Sequence, residues 1–331
     1  MRILLVILLI CTPTAIFATE KLKDGFYDEH DDEGHVVKTV QYRYGVPNGL
    51  FRTFYPDGRV AGTGEYLNGQ LQGMALAYYP SGVLKMKSFY RDGKLHGLAT
   101  LYYANGKVKS EMPYIKGVID GIAREYDEHG TPLIDHLYTW GKENGFRKEY
   151  YPNGQVKREL QYKNDRQVGI IREYFENGRL KGLFRGVEGV KFGLGKEYYP
   201  KGPLLREGIY EKGQLNGLVT NYYPSGKILS KVYYKNGLMD DANWQEFYET
   251  GELMNTATVV AGKKQGLAKA YYTNGKVKSE GNFRDDKRHG AFRLYTVEGV
   301  FQFLESYQSG QLVQRKEYDA KGLIVMEQSF Y

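Results

Sequence analysis

Cysteine is almost missing from this chain of 331 residues; Cys11 is the only one. It follows an unbroken apolar run, Ile3–Ile10, with Arg2 before it and Pro13, Ala15 and Ala18 after it. That order reads as an export signal cleaved after Ala18, with a retained anchor as the weaker alternative because the run is short for a bilayer. Ile10 occupies the place where a lipid-attachment signal has a small residue, so Cys11 is not read as a lipid site. Cleavage after Ala18 leaves no cysteine, which excludes disulfides, thiolate catalysis and cysteine metal sites. No other stretch is apolar enough to cross a membrane. Charge of one sign is also missing as a block. The net charge is +7, and basic and acidic residues alternate, with no arginine-rich arm or lysine run. No nucleic-acid partner is expected.

Glycine (41) and tyrosine (31) are abundant, and phenylalanine adds 15 aromatics. Their placement is periodic. Gly34, Gly58, Gly82, Gly106, Gly130, Gly154, Gly178, Gly202 and Gly226 follow one another at 24 residues, and Gly251, Gly275, Gly299 and Gly322 continue at 25, 24, 24 and 23. A second series runs from Gly25 through Gly49 and Gly73 to Gly290, and a third from Gly45 through Gly69 to Gly310, where Asp165 and Asp286 fill gaps. Such locking makes the chain a repeat array. The expected layout is an export signal over 1–18, an N-terminal half-repeat or cap over 19–40, about twelve tandem repeats over 41–324 and an end strand over 325–331.

The turns share the pattern aromatic, two residues, glycine, as in Tyr55-Pro-Asp-Gly58 and Tyr66-Leu-Asn-Gly69. Proline presets the first turn position and glycine takes a positive φ, which fits a type I turn closed by a bulge. A two-residue Asn-Gly turn is the competing register. The fold class expected is all-β, an elongated antiparallel β-hairpin repeat array of about 25 strands, on the order of 110 Å before twist. With three-residue loops throughout, four columns share one face: Leu50 and its equivalents, Phe54 and its equivalents, the Val60 column and the Tyr66 column. Lys109, Glu149, Lys157, Glu159, Lys181 and Lys278 then occupy the other face. The apolar face has basic mid-strand positions (Arg52, Lys148, Arg172, Lys196), giving a shallow groove with aromatic walls.

Tyr66-Leu-Asn-Gly-Gln-Leu-Gln-Gly73 and Tyr90-Arg-Asp-Gly-Lys-Leu-His-Gly97 resemble the MORN repeat, and Arg288-His289-Gly290 looks like the end of that motif. The Tyr-Tyr-x-Asn-Gly-Lys-x-Lys element at 102–109 and 271–278 is similar to the bacterial MORN-variant form, whose chains include YwqK-type antitoxins. The resemblance covers residues 25–324. It implies a hairpin array acting as an interaction scaffold, with membrane or phospholipid contact among eukaryotic relatives and toxin neutralisation among antitoxins.

Catalytic chemistry has no distinct signature. No Ser-His-Asp set, phosphate loop or acid pair stands out from the repeat, so neither an enzyme nor a cofactor is expected. His96 and His289 fill a variable slot and His129 a turn position; none has ligand spacing. Asp28-Glu-His-Asp-Asp-Glu33 invites a metal reading, but strand alternation divides it between faces, and an acidic edge guard is preferred. Repeat departures, namely Gly186 in a tyrosine slot and the 25-residue unit around Asp240-Asp241-Ala-Asn-Trp244, are read as decay or as bulges that re-aim the surface. The candidate contacts are Trp244 and the outward tyrosines that open the turns: Tyr79, Tyr103, Tyr151, Tyr199, Tyr223 and Tyr272. The expected function is a periplasmic or secreted non-enzymatic scaffold for a protein partner. Envelope lipid or glycan binding, and an antitoxin role, are the alternatives.

Overall fold

A computed structural model describes residues 23–239 and 242–330, with backbone alone for Ala242 and Asn243. The export signal with Cys11, and the pair Asp240-Asp241, lie outside the described residues. Among those described there are thirty strands and no helix. They form two compact units: one ends at Gly121 and includes Glu128–Gly130, and the other comprises Ile122–Asp127 and the chain from Thr131 onward.

Within each unit every strand pairs antiparallel with its chain neighbour. In the first, Gly25–His30, Val36–Arg43, Val46–Phe54, Val60–Leu67, Gln70–Tyr78 and Leu84–Arg91 follow in order. In the second, Gly145–Tyr150 starts a run through Val156–Lys163, Arg166–Tyr174, Leu180–Val187, Val190–Tyr198, Leu204–Glu211, Gln214–Tyr222 and Ile228–Lys235. The expected all-β antiparallel hairpin array is the fold observed.

The three glycine series serve three backbone tasks. The first closes three-residue loops: Gly58 N–H donates to Tyr55 O and Tyr55 N–H to Arg59 O, both at 2.8 Å. Asn153-Gly154 belongs to this class too, since Tyr151 N–H donates to Gln155 O. The third series differs from the single turn grammar expected. Leu67 pairs directly with Gln70, and Asn68 and Gly69 both have positive φ, 47° and 79°. That is a two-residue type I′ turn, whose backbone twist matches that of the flanking strands. Asp165 and Asp286 adopt the same left-handed conformation in place of glycine, as short polar side chains can. The second series lies inside strands. Glu65 pairs with Gln72 but Thr63 with Leu76, so Gly73 and Met74 are two extra residues in a bulge whose positive φ glycine supplies.

Several type I′ turns place a residue other than asparagine, aspartate or glycine at positive φ, among them Tyr44, Lys116, Trp140, Glu188 and Lys212, and Trp140 is the bulkiest. Trp140 has φ 50°, is 70% exposed, and stands where its equivalents include Asn68 and Asn236. A bulky residue in the left-handed region costs about 1 kcal/mol or more. Trp140→Asn is therefore expected to raise the unfolding free energy by about 1 kcal/mol, read as a higher urea midpoint at unchanged slope.

A further bulge corrects the expected arrangement of columns. Glu149 pairs with Arg158 but Tyr150 with Val156, so Lys157 is an extra residue. The same step recurs in hairpin after hairpin. One extra residue reverses the side-chain phase. The Leu50, Phe54 and Val60 columns share one face, and the Tyr66 column lies on the opposite one. The core is on that opposite face. It is built from the residue two after each repeat glycine (Phe51, Ala75, Ile171, Val219) together with Val40, Leu160, Phe184 and Tyr210. In the second unit Leu160, Ile171, Phe184 and Tyr210 form one buried cluster joined by Tyr162 and Leu215.

Gly186 introduces no bulge. It pairs in register with Gly169 and Lys191, and a Cβ there would stand 2.3 Å from Ile171 Cδ1. Its smallness accommodates the Ile171 side chain and the Val190 carbonyl. Gly195 does likewise between Phe184 and Tyr210, whose rings would stand 2.7 and 2.6 Å from its Cβ.

Candidate functional site

With the core on one face, the opposite, outer face is available for contact. It carries two features. The first is an aliphatic and aromatic stripe beside the repeat glycines. Met74 pairs with Phe89 in the first unit, and Leu194 with Ile209 and Leu218 with Tyr233 in the second. All six are exposed. Ile209 lies opposite the bulge that holds Leu218, because Gly208 pairs with Val219 while Tyr210 pairs with Leu215. The stripe thus continues from hairpin to hairpin.

The second feature is a ladder of acid, base and phenol. Glu159 lies 3.8 Å from Lys148 Nζ and 3.3 Å from Arg172 Nη1, and accepts a 2.9 Å hydrogen bond from Tyr174 Oη. The reversed phase places Glu159 on the same face as Lys148 rather than the opposite one. Glu207 is held by Lys196 at 3.5 Å and Tyr222 at 2.7 Å, and Glu280 by Lys269 at 2.9 Å and Tyr295 at 3.0 Å. Burial, and then the carboxylates, push the phenols of Tyr174 and Tyr222 up to about 12. They are donors across the physiological range. Each exposed pair contributes little to stability, but the ladder neutralises charge beside the apolar stripe.

The tyrosines expected as contacts have a structural task. Tyr79, Tyr151, Tyr199, Tyr223 and Tyr272 each donate a hydroxyl to a backbone carbonyl one repeat on, at 2.7 to 2.9 Å. Bulge lysines cover the rings: Lys85 Nζ stands 5.6 Å from the Tyr79 centroid, Lys109 5.4 Å from Tyr103 and Lys157 5.7 Å from Tyr151. Trp244 falls in the core-facing column. It pairs with Ala257, which is buried, and Lys264 Nζ lies 4.6 Å from its ring. The structure therefore spreads the expected contacts between repeat joints and core and does not assemble them into one site.

Asp31, Glu33 and His35 do converge, with ligand atoms within 4.8 Å of one another. Asp31 is occupied in closing its turn: it accepts N–H bonds from His35 at 2.8 Å and Glu33 at 3.1 Å, and the His35 bond holds its carboxyl below the usual range.

One cluster is absent from the sequence reading. His136, Glu143 and Arg147 occupy core-facing slots filled one or three repeats later by Leu160, Leu215 and Ile171. Glu143 accepts from Arg147 Nε at 2.7 Å and from Arg147 Nη2, and meets His136 Nδ1 at 3.1 Å. Arg147 stacks 4.2 Å from the Tyr162 centroid. Burial raises the Glu143 carboxyl, but the hydrogen bonds from His136 and Arg147 outweigh it, and the net shift is downward.

The repeat sequence that builds these turns has a match among known families. The family described as MORN repeat variant matches residues 47–68, 71–92, 95–116, 144–164, 215–236 and 264–285. This chain is a MORN-repeat protein. The MORN repeat itself matches residues 280–291, which contain Arg288-His289-Gly290. Hairpins of this MORN-repeat protein that lie between the matches, such as Leu180–Val187 with Val190–Tyr198, keep the same register. No curated protein matches the chain. Among solved structures, one titled TcdB2-TccC3-Cdc42 is similar at 12% identity and TM-score 0.20, over 92% of this chain and 18% of that one. A second, TcdB2-TccC3, shows 14% identity and TM-score 0.19 over 88% and 20%. The Photorhabdus luminescens Tc holotoxin pore gives 12% and 0.13 over 92% and 18%. The MORN-repeat protein thus spans about a fifth of the length of those chains.

Proposed function

We propose that this MORN-repeat protein is a non-enzymatic scaffold, exported from the cell, whose outer face binds a protein partner. The exposed stripe carries the reading. Contiguous exposed apolar side chains on a sheet face mark interaction surfaces, and Leu194, Ile209, Leu218 and Tyr233 run across neighbouring strands. Tyrosine and arginine at the rim are residue types favoured in interfaces. Export rests on the Ile3–Ile10 run and Ala18.

The test is co-purification from the native envelope fraction. The wild-type chain is expected to bring down a stoichiometric partner. A Leu194→Asp, Leu218→Asp double variant is expected to lose that partner while keeping its urea midpoint, because both side chains are exposed. Recovery of the partner at wild-type stoichiometry by the double variant would contradict the proposal.

A further inference from the structure

The core face of the first unit is incompletely filled. Ala77 pairs with Gly62 on one side and Met86 on the other, and Ala75 pairs with Ser88. The equivalents of Ala77 in the second unit include Glu149, Glu173 and Glu197, and those of Ala75 include Ile171 and Val219, although Ala268 and Ala270 repeat the small pair once there. Small residues in adjoining slots leave a recess of about 130 Å³. Phe51 does not fill it. Its ring is laid over Gly64, with Cε1 2.5 Å from where a Cβ would be, and it rests 5.1 Å from the Tyr66 ring.

The lining defines a chemistry. Phe51, Ala75, Ala77 and Met86 supply apolar surface, and no charged side chain contributes. On the core face the polar groups are the hydroxyls of Thr53, Ser88 and Tyr90. Ser88 is only 3% exposed, and its hydrogen bond to Ala75 O is 3.4 Å long. A bond at that limit is weak; the hydroxyl also meets the Tyr90 phenol, and its second lone pair leaves it able to accept from a further donor. A charged ligand would lose its hydration here without compensation. A dry cavity of roughly 150 Å³ takes benzene, and this recess, at about 130 Å³, is slightly smaller, which limits its occupant to a single ring.

We propose that this recess binds one small neutral ring compound carrying a single hydrogen-bonding substituent, with the ring against Phe51 and Met86 and the substituent at Ser88. The site is independent of the outer face and of any protein partner.

Phenol, toluene and benzoate are the probes, titrated into the full chain and followed by saturation-transfer NMR. Phenol is expected to bind, toluene more weakly, and benzoate not at all. Ala77→Leu fills the recess and should weaken phenol by about tenfold or more, a loss of about 1.4 kcal/mol or more. Ala77→Val, a smaller intrusion, provides the second variant should leucine unfold the hairpin. Ser88→Ala should bring phenol to the level of toluene and leave toluene unchanged. No phenol binding, benzoate binding as strong as phenol, or phenol binding unchanged in the folded Ala77 variants would each overturn the proposal. So would a phenol preference that survives Ser88→Ala.

Discussion

Glu143→Ala is expected to lower the unfolding free energy by about 3 kcal/mol, a large fraction of what a domain has. The carboxylate side chain is 7% exposed and holds Arg147, which is 24% exposed. Removing it leaves a largely buried guanidinium without its acid, and a buried His136 with only Glu125, 3.9 Å from its Nε2. The lower end of the range for broken buried pairs applies because Arg147 retains some water. The triple variant His136→Leu, Glu143→Leu, Arg147→Ile installs the residues of Leu160, Leu215 and Ile171, which pack together in the same unit. Replacing a whole buried ionic cluster by apolar residues is often neutral or stabilising, so the triple variant is expected to match or exceed the wild type.

The cluster also predicts an acid dependence. The Glu143 carboxyl is lowered from 4.5 in the folded chain. Its contribution is present above the unfolded value and is lost as pH falls through the folded one. Wild type and triple variant should therefore diverge below about pH 4.5, with the wild type losing more stability. Urea midpoints measured between neutral pH and pH 3 check this, and parallel curves for the two proteins would contradict it.

Much of the architecture could be read from residue spacing. The period, the hairpins and the three-residue loops at Pro-x-Gly follow from glycine and proline, whose backbone requirements are local. The type I′ turns are less legible because Asn-Gly serves both loop classes, and the pairing of Leu67 with Gln70 distinguishes them. The face of each column is not legible in the sequence, for a physical reason. The bulge residue after the loops varies, as in Lys157, Leu205, Ala61, Met254 and Gln302, and none of these types marks a bulge, yet one inserted residue reverses every side chain beyond it. The same reversal also hides the charged core cluster. Arg147 looks ordinary on a solvated face, and becomes conspicuous only when its column is known to hold Ile171 and Val219.

Which face is core decides both the candidate surface and the buried cluster. Leu218 is 39% exposed and its neighbour Val219 is 1% exposed, so two adjacent residues decide the matter. Val219→Lys places a charge among buried apolar side chains and is expected to cost about 4 kcal/mol or more. Leu218→Lys should stay within about 0.5 kcal/mol of the wild type. Equilibrium urea unfolding of the two variants side by side is the most direct measurement. A large loss at position 219 with little change at 218 is the result predicted; a loss at 218 equal to or greater than that at 219 would place the core on the other face and contradict the account.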